Sequence, residues 1–187
     1  KGAQKNTVDQ RKAESVAKHF VAFHNSQGGI HGTHSETPVR LLQEVYAKPF
    51  QAAISEAGLK GVMPCYCSIN GEDVSASHNM LTKLLREDMG FEGMCISDYG
   101  AVGNAHSVHH IGETFEDAGL MCLSAGMDVE MPSVTGYNEK LKEMFRRGAV
   151  DIKVLDTAVL RVLEGKFRMG LFENPFAMEG EELYSVV

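Results

Sequence analysis

The apolar positions of this chain fall in short clusters, and each cluster is followed by a longer stretch with helical spacing. Four clusters recur: "ESVAKHF" (14–20), "GVMPCY" (61–66), "GMCISD" (93–98) and "GMDVEM" (126–131). In the third, Met94, Cys95 and Ile96 leave neither side polar, the pattern of a strand buried on both faces. After the first cluster, Leu41, Leu42, Val45 and Tyr46 open a helical pattern that Ala52, Ala53 and Ile54 continue past a break expected near Pro49. Leu81, Leu84 and Leu85 form the second pattern, and Phe115, Ala118, Leu120 and Leu123 the third. Tyr137, Leu141 and Phe145 follow the fourth cluster, and Val154, Leu155, Val159 and Val162 mark a last helix. Short apolar runs alternating with helices predict an α/β protein with a parallel sheet of about four βα units. "LFENPFAMEGEELYSVV", from about residue 171, reads as an exit segment.

Four βα units make half of an eight-stranded barrel. Residues 1–187 are therefore expected to form one partial (β/α)8 domain of the TIM type, a half-barrel. Such a half leaves two open edges, and the inward faces of "ESVAKHF" and "GMDVEM" are expected to meet water. The expectation that follows is pairing, with a copy of itself as a homo-oligomer or with a missing half of the barrel.

Each cluster also delivers polar groups at its carboxyl end: Lys18 and His19, then Tyr66 and Asn70, then Asp98, then Glu130. Sheets built from βα units bind their ligands at that end of the strands. Lys18 next to His19 suits a site better than a core, since a buried lysine needs a partner.

Composition narrows the function classes. The net charge of -7 is spread without a basic stripe, so nucleic acid is not an expected partner. No apolar run approaches the roughly 18–20 residues of a membrane span. Four cysteines, at 65, 67, 95 and 122, are expected as buried free thiols, which favours a reducing, cytoplasmic compartment. The chain opens "KGAQKNTVDQ" without an initiator Met, so the absence of a targeting signal carries no weight. "HNSQGGIHGTHSE" (24–36) and "HSVHH" (106–110) are His-rich but lack a helical His-x-x-x-His pair, and no metal or cofactor is expected. Cys65 and Cys67 flank Tyr66 and share one face of an extended strand, as buried thiols rather than a ligand pair.

"AKHF", "VMPCYCSING", "GFEGMCISDYGAVG", "AGMDVEMP" and "VLRVLEGKFRMGLFENPF" together resemble the glycoside hydrolases of family 3. The resemblance covers nearly the whole chain, in order. It implies the C-terminal half of that family's catalytic (β/α)8 barrel, and a retaining, exo-acting glycosidase such as a β-glucosidase or β-xylosidase, taking an oligosaccharide or β-glycoside. It implies Asp98 of "SDYGA" as the catalytic nucleophile and Lys18 and His19 as the pair that binds sugar hydroxyls. Met63 and Tyr66 match a Met-x-x-Tyr beside the nucleophile, and Tyr99 takes the place of an aromatic against which the sugar lies. Cys67 departs from the family's usual Asn.

Cleavage with retention needs a carboxylate beneath the anomeric carbon and an acid about 5–5.5 Å away. The carboxylate attacks to give a covalent glycosyl-enzyme. A strand end beside cationic Lys18 would hold it rigid and charged, and Gly100 and Gly103 would turn the backbone away from the sugar. The family's N-terminal barrel half, with its sugar-holding Asp and Arg, and its acid/base, a Glu from a separate domain, have no counterpart here. The Asp/His pair of the β-N-acetylglucosaminidase branch is missing too, since the loop after "KHF" has His but no Asp. Two other readings compete: a Schiff-base lyase on Lys18, which leaves Asp98 unexplained, and a non-catalytic piece of such a glycosidase.

Overall fold

A computed structural model of the chain describes residues 13–176. Three strands, β1 (Val16–Phe20), β2 (Gly61–Pro64) and β5 (Met94–Cys95), form a parallel sheet in that order. A hairpin of β3 (Ser68–Ile69) and β4 (Glu72–Asp73) lies beyond the end of β2. The helices are α1 (Val39–Leu41), α2 (Lys48–Ala57), α3 (Ala101–Ser107), α4 (Phe115–Ala125), α5 (Glu139–Arg146) and α6 (Ile152–Arg168), with π-wound turns at Leu42–Tyr46 and Asn79–Asp88. Among the described residues the chain is thus α/β, with helices in each gap of a parallel sheet. No helix among them is long and apolar enough to cross a membrane.

The helical patterns place these elements well. The break falls at Ala47, and Pro49 sits in the first turn of α2, where its missing N–H leaves no bond unmade. Leu81, Leu84 and Leu85 are buried on the π-wound helix. Thr114 and Asp117 close a capping box at the start of α4, and Gly126 ends that helix at φ 112°, a conformation only glycine takes without strain. One helix, α3, went unforeseen: "AVGNAHS" has no apolar period longer than its seven residues.

The fourth cluster departs from expectation. It contributes a single parallel bridge, Ile96 to Val129, instead of a strand. The reason is a side chain. Met94 donates its N–H to Lys60, just before β2, and Ile96 donates to Val62 on it, so Cys95 N–H faces the fourth cluster. There the Asp128 carboxylate accepts it at 2.8 Å, taking the place of a backbone carbonyl. The same carboxylate binds Arg86 at 2.7 Å and Arg161 at 2.9 Å, which ties the helix at Asn79–Asp88 and α6 to the sheet.

The core runs between sheet and helices through Phe20, Val62, Leu81, Leu85, Cys95 and Met127, all fully buried. A smaller cluster of Leu123, Leu141, Phe145 and Ala158 joins α4, α5 and α6. Val16 of β1 is exposed, whereas residues 126–128 of the fourth cluster, expected to meet water, are buried. Apolar exposure is concentrated instead on α6 and the segment after it, at Leu160, Leu163, Phe167, Phe172 and Phe176.

Candidate active site

The site gathers at the carboxyl ends of the three strands. β1 carries His19 one residue before its end, β2 runs into Tyr66, and β5 runs through Ser97 to Asp98. His19 Nε2 lies 3.1 Å from Asp98 Oδ2. A carboxylate only accepts, so Nε2 carries the hydrogen. The other carboxylate oxygen, Oδ1, takes the Tyr99 backbone N–H at 2.7 Å. Tyr66 donates its hydroxyl to the Tyr99 carbonyl at 2.7 Å and lies against the Asp98 carboxylate. Met63 and Lys18 face each other in the β1–β2 register. Tyr99 itself is 62% exposed, with its ring open to solvent.

The loop that carries Asp98 is pinned from both sides. Ser97, fully buried, donates its N–H to Val129 and accepts the Met131 N–H on its hydroxyl at 2.8 Å. Gly100 then turns at φ 73° and donates its N–H to the Met131 carbonyl. That left-handed turn needs glycine, as the sequence suggested. Gly103 has a different reason. It is helical, and a side chain there would press on Thr135 at 3.2 Å, so it lets α3 pack against the following loop.

Electrostatics set the protonation of the group at β1. Burial pushes the His19 imidazole below its ordinary 6.5, and the charge of Lys18 pushes the same way, against the pull of Asp98. Burial and then the Asp98 charge push the Tyr66 phenol up to about 12. Both residues are therefore neutral near pH 7 and serve as hydrogen-bond donors to the carboxylate end of β5. The sequence reading made Lys18 the cation beside Asp98. In the structure His19 makes that contact, while Lys18 is exposed and acts on His19. A cavity of about 400 Å³ lies against Lys18, His19, Phe23, Tyr46 and Phe50.

Two strand-end groups prove to be structural. Asn70 clamps Thr37, accepting its N–H at 2.8 Å and donating to its carbonyl at 2.7 Å. Glu130 receives the backbone N–H groups of Thr135, Gly136 and Tyr137 at 2.8–3.1 Å, and so shapes the loop before α5. Conversely, Phe23 and His31 went unassigned in the sequence. Their rings complete a row from His19 to Phe23 (4.7 Å), Phe23 to His31 (4.9 Å) and His31 to Tyr66 (4.7 Å). The signal for His31 is its place in the His-rich loop, a pattern that points first to metal ligation and here supplies a ring contact. Among the described residues no three His, Cys, Asp or Glu side chains gather to hold a metal.

The comparisons with known proteins agree with this architecture. Residues 1–164 match the family model described as the glycosyl hydrolase family 3 N terminal domain. A beta-xylosidase of Formosa agariphila is 33% identical over 178 residues, 92% of this chain and 25% of that protein. A lysosomal beta glucosidase of Dictyostelium discoideum is 31% identical over 170 residues, 90% of this chain and 21% of its own. Among solved structures, a beta-glucosidase from Listeria innocua superposes with a TM-score of 0.90 at 29% identity, over 100% of this chain and 26% of its own. The chain therefore spans about a quarter of the length of the relatives it matches. With a family match over most of its length, and relatives above 30% identity across nine-tenths of it, this chain belongs to glycoside hydrolase family 3.

Proposed function

We propose that these residues form part of a retaining exo-β-glycosidase in which Asp98 is the nucleophile. The observation that carries the reading is the convergence of His19, Tyr66 and Tyr99 on one strand-end carboxylate, in a chain whose relatives are named beta-glucosidases and beta-xylosidases. The three parallel strands, with Val129 bridged beyond them in chain order, are read as consecutive strands from the second half of a (β/α)8 barrel.

In this reading Asp98 attacks the anomeric carbon from below and forms a covalent glycosyl-enzyme, which water then opens. A nucleophilic carboxylate has to be held still. The Tyr99 N–H holds one oxygen and the His19 imidazole the other. Tyr66 locks the Tyr99 carbonyl, and with it the peptide that follows the nucleophile. Lys18 and His19 bind hydroxyls of the terminal sugar, Met63 supports that wall, and the exposed Tyr99 ring offers a face to the sugar. Proton donation to the leaving oxygen, and the remaining sugar contacts, come from outside these residues. The chain is then inactive until that remainder is in place.

The test is mechanism-based labelling in the complete enzyme. A 2-deoxy-2-fluoro β-glycoside is expected to modify the tryptic peptide Glu87–Lys140 at Asp98. Labelling at Glu130 of the same peptide, or at Glu36, would overturn the assignment.

A further inference from the structure

Cys65 and Cys67 stand on either side of Tyr66, and the proposed chemistry uses neither. Both are fully buried free thiols, close enough for each to act on the other's ionisation. They point together at one loop: Cys65 Sγ donates to the Val21 carbonyl at 3.3 Å, and Cys67 Sγ reaches the Phe23 carbonyl at 3.9 Å. Two residues of fully extended chain put α-carbons about 6.6 Å apart, inside the upper limit of about 6.8 Å for a disulfide. The chain bends at Tyr66, which draws them closer still. Tyr66 is held to the site by its hydroxyl, through Tyr99, and by its own carbonyl, 2.8 Å from His109 Nε2.

We infer that Cys65 and Cys67 form a peroxide-responsive dithiol that closes to a reversible disulfide and, in closing, draws Tyr66 away from Asp98. Closure over a single intervening residue must twist the Tyr66 backbone, and the phenol moves with it. Strained disulfides are also the readily reduced ones, which suits a reversible device. The neighbouring Cys65 brings the Cys67 thiol down to about 7 while Cys65 itself is pushed up, so the pair holds one nucleophile and one proton donor. The two remaining cysteines are unlike Cys67. Burial pushes the Cys95 thiol up to about 12 and Cys122 up as well, so neither ionises near neutrality.

The chemistry balances. The Cys67 thiolate attacks one oxygen of hydrogen peroxide, leaving a sulfenic acid and hydroxide, which takes up a proton to become water. The Cys65 sulfur then displaces the sulfenic oxygen, which leaves as a second water with the Cys65 proton. Two electrons pass from the sulfurs to the peroxide, and one S–S bond forms.

The 187-residue chain is treated with a few equivalents of hydrogen peroxide, alkylated after unfolding and digested with trypsin. The peptide Gly61–Lys83, which contains both cysteines, is expected to lose two hydrogens and regain them on dithiothreitol, with Cys95 and Cys122 still alkylated. Cys122→Ser should leave this unchanged and Cys67→Ser should abolish it. Spectrophotometric titration should show one phenol moving from about 12 toward the ordinary 10.0 on oxidation. Free thiols at both positions after peroxide, or sulfinic acid on Cys67 beside a free Cys65, would overturn the proposed pair. A disulfide with no change in phenol titration would overturn its link to Tyr66. None of these readouts depends on glycosidase activity.

Discussion

His19 Nε2 and Asp98 Oδ2 stand 3.1 Å apart although 79 residues separate them in the chain (98 − 19). The contact joins the first strand of the sheet to the third, across β2, and the proposed chemistry depends on it.

Replacing Asp98 by Asn keeps the shape of the side chain and one acceptor, enough for the Tyr99 N–H, while removing the charge and turning the group that faces His19 into a donor. In the complete enzyme, turnover of a nitrophenyl β-glycoside should fall on the order of 10⁴-fold or more, the scale seen when a covalent nucleophile is lost. Circular dichroism should show the fold unchanged. Retention of ordinary turnover would remove Asp98 from the nucleophile's role.

Lys18→Ala should weaken monosaccharide inhibition by about 1.5–3 kcal/mol, the range for a hydrogen bond in which one partner is charged, and His19→Ala by about 0.5–1.5 kcal/mol, the range for a neutral one. Exhaustive chelation should leave the unmodified enzyme fully active. Loss of activity with EDTA and its rescue by zinc would count against this role.

The His19 imidazole titrates below 6.5 because burial and Lys18 outweigh Asp98. The unfolded chain then binds the proton more readily than the folded one, so this group's contribution to stability is present above pH 6.5 and is lost as pH falls through the window beneath it. Asp98→Asn removes the one pull toward the protonated form, and the His19 midpoint should drop further, while the Tyr66 phenol should move down from about 12. Proton NMR and ultraviolet titration follow the two groups. A rise in either midpoint would contradict the assigned neighbours.

Asp128 is fully buried between Arg86 and Arg161 and accepts the Cys95 N–H. Asp128→Ala should cost about 3–5 kcal/mol, because it strands a buried guanidinium and a backbone donor together. The midpoint of urea unfolding reads this directly. An unchanged midpoint would mean that water replaces the carboxylate at no cost.

Isolated from the rest of such an enzyme, the 187 residues should associate through the apolar face of α6, where Phe167 is 69% and Leu163 43% exposed. Light scattering should report species larger than the 20.4 kDa monomer. Hydrolysis of nitrophenyl β-glucoside should be absent, since general acid assistance alone is worth about 10²–10⁴-fold and the donor lies elsewhere in the proposed reading. A monomer working at ordinary enzyme rates would show that the acid is among these residues.

What the sequence determined by itself is local. Periodicity marked the helices, the glycine and proline signals marked their ends, and "GMCISD" announced a buried strand that delivers a carboxylate at its exit. Motif order sufficed for the family. The tertiary structure decided matters of contact, which no spacing encodes. It replaced part of the fourth strand's ladder with the Asp128 side chain, because a carboxylate at that register competes for the Cys95 N–H. It turned Asn70 and Glu130 into loop clamps, because loop amides lie within their reach. It brought His19, rather than Lys18, to Asp98 through the alternation of side chains along β1, a choice of face made only when β1 meets its neighbours. And it set the ring of His31 against Tyr66, because the loop after β1 folds back over the ends of the strands.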